Sequence, residues 1–155
     1  EPGEPIPGYL AARYALNKSR KRRARFDELL AQRRAGKVIG TDRYPQVEVP
    51  GLHDGPILAG IATSPRLAAM QAAERALYAE MAAYRPTLVI RLHVDVDTVM
   101  ARKPDHNRDL IKRKVETVPL LAFNGAPIVD IDATMPYADE LALATAAVAG
   151  ALGSA

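Results

Sequence analysis

Three short apolar runs, each set against longer stretches of helical composition, constrain this 155-residue chain more than any other feature of its sequence. They are Lys37-Val38-Ile39-Gly40-Thr41, the segment Thr87 to Val94, and Pro127-Ile128-Val129-Asp130-Ile131-Asp132. Each has the length and the β-branched content of a buried strand. Around them lie four predicted helices: Tyr9 to Ala35, stopped by Gly36; the segment from Pro65 to the turn before Pro86, capped by Ser64; Thr98 to Val118, broken near Pro104; and Tyr137 to Leu152. Strands separated by helices are joined by crossovers rather than hairpins. The pattern therefore predicts an α/β fold, a parallel sheet flanked by helices in three layers. The chain has the length of one domain, with proline-rich residues 1–8 as an irregular leader.

Composition removes several classes of function. There is no cysteine, so neither disulfides nor thiolate metal sites are available, and a cytoplasmic location is expected. No apolar run approaches the roughly 20 residues of a membrane span, and no membrane partner is expected. A net charge of +3 and a pI near 9.3 suit an anionic partner, whether nucleotide, nucleic acid or phosphate. His53, His93 and His106 are scattered and are assigned no metal.

A parallel sheet gathers the carboxyl ends of its strands on one edge, where chemistry usually sits. Asp42-Arg43, Asp95-Val96-Asp97 and Asp130-Ile131-Asp132 are predicted to meet there. Phosphoryl transfer needs cations to neutralise the moving group and a carboxylate to organise magnesium or the acceptor. Asp42 and Arg43 supply one of each, although the dipeptide alone also fits a capped turn with a surface ion pair. From Tyr44 to Thr63 a loop rich in proline and glycine is long enough to close over a ligand. Six cations between Arg102 and Lys114 predict a mobile lid that bends at Pro104 and Asn107. Asp95 and Asp97 read as turn and helix cap. The stripe Leu67, Met70, Leu77, Met81 and Tyr84 is read as core or as a homodimer interface. The basic run Lys18 to Arg25 is read as a solvated face beside a phosphate cleft, with nucleic-acid binding through residues 17–34 as the less favoured alternative.

The segment Gly36 to Tyr44 resembles the strand and Asp-Arg-aromatic motif of the thymidylate kinase family. Pro86 to Asp95 is similar to a later strand of that family, Val99 to Lys103 to the entry of its lid, and Ile131 to Pro136 to the turn beside the adenine of ATP. The resemblance runs from about residue 10 to 152 and rests on the order of the motifs. It implies a P-loop kinase type of fold and ATP-dependent, magnesium-assisted transfer to a nucleoside monophosphate or related acceptor. It further implies catalytic roles for Asp42, Arg43, Arg102 and Arg108, and acceptor contacts from Arg43, Tyr44 and Asp54. ATP contacts would come from Arg102, Lys103, Ala133, Thr134, Met135 and Pro136, and magnesium would lie by Asp42.

Two departures from the family stand out. No Gly-x-x-x-x-Gly-Lys-Ser/Thr sequence occurs in the 155 residues, so the first βα unit and its phosphate-binding loop are expected to be missing. The chain is then the carboxyl-terminal part of a nucleotide kinase-like domain, inactive by itself. Asp54-Gly55-Pro56 stands where a serine, alanine and glutamine pattern surrounds a thymine pocket, which leaves the acceptor open. A noncatalytic nucleotide-binding or interaction module is the alternative to an enzyme.

Overall fold

The computed structural model describes residues 8–60 and 64–153. The leader, except Gly8, and the end of the loop at residues 61–63 lie outside them. Two compact units divide between Tyr84 and Arg85.

The first unit is built on α1 (Tyr9–Arg34) and α2 (Pro65–Ala82). Helix α1, about 39 Å long at 1.5 Å per residue, ends as its sequence predicts. Gly36 takes φ 84°, and the Gly36 and Lys37 amides donate to the Arg33 and Gln32 carbonyls at 2.9 and 3.1 Å. A side chain at Gly36 would strain that left-handed position. Helix α2 starts at Pro65, with the Ser64 hydroxyl accepting from the Leu67 amide at 3.3 Å.

The helices pack through two apolar clusters. Ala12, Ala15, Leu16 and Leu58 form one, with Leu67, Met70 and Leu77 against it. Phe26, Tyr78 and Met81 form the other, with Leu30 and Tyr44. The predicted stripe on α2 is thus largely core, whereas Tyr84 lies past the helix and meets Phe26 edge to face at 5.8 Å. Between the clusters Glu74 is fully buried. Its carboxylate accepts from the Ser19 hydroxyl and the Leu58 amide, both at 2.7 Å, and so ties α1, α2 and the loop together. A buried carboxylate is tolerable only with such donors.

Lys37 to Thr41 departs from expectation. It joins no strand ladder among the described residues, and Val38 is 70% exposed. β-branched composition favours extended backbone, but a strand also needs a neighbour to share its hydrogen bonds.

The second unit centres on β1 (Val89–His93) and β2 (Ile128–Asp132). They pair in parallel from Val89 opposite Ile128 to His93 opposite Asp132, as their separation by helical segments predicts. Between them lie α3 (Val96–Arg102) and α4 (Arg108–Thr117), and α5 (Tyr137–Gly153) follows. Ile111, Leu121, Ala126, Ile131 and Ala133 are buried. Arg91 fixes the β1–β2 face to the chain after α4, donating to Asp130 at 2.6 and 3.0 Å and to the Leu121 carbonyl at 3.1 Å. The Arg91 guanidinium, followed by His93, holds the Asp130 carboxyl well down, at about 2.

Asp95 caps α3 as expected, accepting from the Thr98 amide and hydroxyl at 2.8 and 2.6 Å. Asn107 plays a different part from the flexible hinge expected of it. At φ −65° and ψ 115° it is an ordinary N-cap, its side chain accepting from the Leu110 amide at 2.9 Å. No described helix is long and apolar enough to cross a membrane.

Candidate functional site

In the first unit a cavity of about 250 Å³ opens between α1 and the loop that follows Thr41. One stripe of α1 lines it: Arg22, Arg25, Phe26 and Leu29 recur at helical spacing. Thr41, Arg43, Tyr44, Pro45 and Asp54 complete the wall. Three arginines and one carboxylate thus line it, with Arg25 also paired with Glu28 at 2.8 Å and Arg43 lying 3.9 Å from Asp42.

The loop is held by its own polar core. Gln46 is fully buried, and its amide nitrogen donates to the Val49 and Leu52 carbonyls at 2.9 and 2.7 Å. Its carbonyl accepts from the Val49 amide at 2.8 Å. Gly55 closes the knot, because a Cβ there would stand 2.5 Å from the Val49 carbonyl oxygen and 2.6 Å from Gln46 Nε2. This knot presents Asp54, whose Oδ1 takes a hydrogen bond from Arg22 at 3.0 Å and lies 3.8 Å from Arg43. Arg22 also donates to the Tyr78 hydroxyl at 2.6 Å. Burial raises the Tyr78 hydroxyl above its usual range, against the pull of Arg22.

Arg43, Tyr44 and Asp54, expected as acceptor contacts, therefore line one pocket. The Tyr44 hydroxyl donates to the Tyr84 carbonyl at 2.7 Å, and its ring meets Phe26 at 5.7 Å, so it serves as a wall. The Asp42 side chain is 97% exposed, with Arg43 Nε 3.9 Å away. It offers one carboxylate, and no group of three metal-ligating side chains occurs among the described residues. Such a donor set fits a magnesium ion held largely by nucleotide phosphates, and not a cage built by protein alone.

Arg22, Arg25 and Tyr78 were not singled out as site residues. The first two lie within the basic run, and the spacing of Arg22, Arg25 and Leu29 was the available signal. Half of that run's cations are paired: Arg22 with Asp54, Arg23 with Asp27 and Glu80, and Arg25 with Glu28.

The second unit gathers the expected ATP contacts around the turn after β2. Arg102 donates to the Ala133 carbonyl at 2.9 Å, joining the end of α3 to that turn. Thr134 donates through its amide and hydroxyl to Asp132 at 2.8 and 2.7 Å, and the Met135 amide donates to the Asp132 carbonyl. The Pro136 carbonyl accepts from the first turn of α5. Lys103 ends α3. Arg108 pairs with Asp97 at 2.6 Å and Lys112 lies 3.8 Å from Glu116, so two of the six cations of the predicted lid have carboxylate partners.

The sequence is 41% identical over 137 residues to an uncharacterised ATP-binding protein of Escherichia coli strain K12, YghS, covering 87% of this chain and 57% of that protein. A second uncharacterised ATP-binding protein of the same strain, YghR, is 36% identical over 137 residues and is covered to 54%. The chain spans a little over half the length of these curated relatives. No protein-family model matches it. No solved structure matches it either.

Proposed function

We propose that this chain is part of an ATP-dependent phosphotransferase of the nucleoside monophosphate kinase type, and that the pocket of the first unit receives the phosphate acceptor. The observation that carries this reading is the convergence of Arg43, Arg25 and Arg22 on one small cavity. Guanidiniums bind phosphate in their fork geometry and stabilise charge that develops during transfer. The relatives named as ATP-binding proteins supply independent support for the donor.

Under this reading the chain has a P-loop kinase type of fold. The donor loop, absent from the 155 residues, lies in the part of the longer protein beyond the matched region. Thr134, Met135 and Pro136 wall the adenine, while Arg102, Lys103 and Arg108 attend the donor phosphates. Arg108 would exchange Asp97 for phosphate as the lid closes. Asp42 would help to hold magnesium, which would supply further neutralisation of charge. The protein acts in the cytoplasm.

The test compares the 155-residue chain with a protein of the relatives' full length, using ATP consumption with a panel of nucleoside monophosphates. The longer protein is expected to turn over at about 1 to 100 per second, and the shorter not at all. Turnover by the short chain would demand a different donor site. A longer protein that neither binds nor consumes ATP would refute the phosphotransferase reading.

A further inference from the structure

The wall of the first unit's pocket also includes Asp54, where the backbone takes an uncommon conformation. His53 and Asp54 are consecutive non-glycine residues with φ 48° and 60°, a left-handed conformation that is uncommon for L-residues, though His and Asp take it more readily than most. The Gln46 knot and the absence of room for a Cβ at Gly55 keep the backbone there. Strain held in place by its surroundings is a common mark of a binding position.

The carboxylate is clamped on one side only. Arg22 and Arg43 both approach Oδ1, and Arg22 is itself fixed by the Tyr78 hydroxyl at 2.6 Å. Oδ2 takes no hydrogen bond from a described residue. Asp54 lines the cavity with its side chain 19% exposed. An anionic group placed against it would be repelled, so a bound phosphate belongs on the Arg43 and Arg25 side and Asp54 must face a neutral donor. The cavity, at about 250 Å³, falls below the roughly 300–1,000 Å³ of sites for drug-sized ligands. Its occupied portion therefore suits a small phosphorylated polyol or the sugar phosphate of a nucleotide.

We propose that Asp54 is the specificity-determining residue of this pocket, accepting at Oδ2 a hydrogen bond from a hydroxyl of a phosphomonoester whose phosphate is held by Arg43 and Arg25. The assignment rests on the reading of this cavity as the acceptor site and selects hydroxylated acceptors within it. A hydrogen bond to a charged acceptor contributes about 1.5–3 kcal/mol, or on the order of 10- to 150-fold in affinity.

The experiment is isothermal titration calorimetry of the 155-residue chain with inorganic phosphate, propyl phosphate and ribose 5-phosphate, repeated for Asp54→Asn and Arg43→Ala. Wild type is expected to bind ribose 5-phosphate at least tenfold more tightly than propyl phosphate. In Asp54→Asn that preference falls below about threefold while inorganic phosphate binds more tightly, because a negative charge has gone. Asparagine tolerates left-handed backbone, so the loop keeps its shape. Equal wild-type affinities for the two esters, with phosphate binding lost in Arg43→Ala, overturn the role of Asp54 and leave the acceptor site standing. No binding of any probe overturns the acceptor site and the role of Asp54 with it.

Discussion

Replacing Gln46 with leucine isolates the polar knot that presents Asp54. The two side chains are close in volume, so the loss is one of hydrogen bonds rather than of packing. The Val49 amide, which donates to the Gln46 carbonyl at 2.8 Å in a buried residue, is left without that partner. Stranding such a donor costs about 1–3 kcal/mol. The Val49 and Leu52 carbonyls lose the side-chain amide but keep the Leu52 and Gly55 amides at 3.3 and 2.8 Å. Their loss is therefore the smaller part, about 0.5 kcal/mol each at the low end of a net hydrogen bond. The sum is about 3 kcal/mol. With a urea dependence of about 1–3 kcal/mol per molar, the unfolding midpoint of the first unit should fall by at least 1 M, followed by tyrosine fluorescence and far-ultraviolet circular dichroism. Gln46→Glu should be worse, since it turns a donor into an oxygen facing two carbonyl oxygens. A leucine variant within 0.3 M of wild type, or a glutamate variant more stable than the leucine one, would refute the reasoning.

Gly55→Ala should destabilise the first unit by more than 2 kcal/mol, because its Cβ meets the Val49 carbonyl and a Gln46 amide that is held by its own hydrogen bonds; the same urea titration checks it. In the longer protein, Arg43→Ala should lower turnover by roughly 100-fold, by analogy with removal of one positioned donor, measured as steady-state phosphoryl transfer. Asp130 ionises at about 2 in the folded state against its usual 3.8, so its contribution is present above pH 4 and is lost as pH falls toward 2. Melting of the second unit between pH 5 and 2 should therefore depend less on pH in Asp130→Asn, and an unaltered dependence would remove Asp130 from the account. Amides from Arg102 to Arg113 should gain protection from hydrogen exchange when the longer protein binds a bisubstrate analogue; high and unresponsive protection would exclude a lid.

The helices were the most legible part of the sequence, because their ends are decided locally. Gly36, Ser64 with Pro65, and Asp95 each act within one turn, and the structure uses each at or beside the predicted boundary. Strands β1 and β2 were legible because each finds the other. Lys37 to Thr41 has similar composition but no described partner, and pairing cannot be read from a single segment. Within the candidate site, Arg43 and Asp54 were marked by motif and loop position. Arg22 was hidden in a run of like charges whose solvent-facing and pocket-facing members differ only by helical phase. Glu74 and Gln46 were invisible for another reason: nothing in composition distinguishes a buried polar side chain from the exposed majority of its type.

The stretch from Lys37 to Thr41 also bears on how the protein behaves in concentrated solution. An apolar, β-prone segment with Val38 open to solvent is a template on which another copy's backbone can lay itself down. Lys37 at its head and Asp42-Arg43 at its foot bracket it with charge, the arrangement by which natural chains discourage such stacking. These three residues would thus serve as gatekeepers, with Arg43 also lining the pocket. A chain stripped of them, for instance in Lys37→Ala, Asp42→Ala and Arg43→Ala combined, would be expected to precipitate at protein concentrations where the parent stays clear.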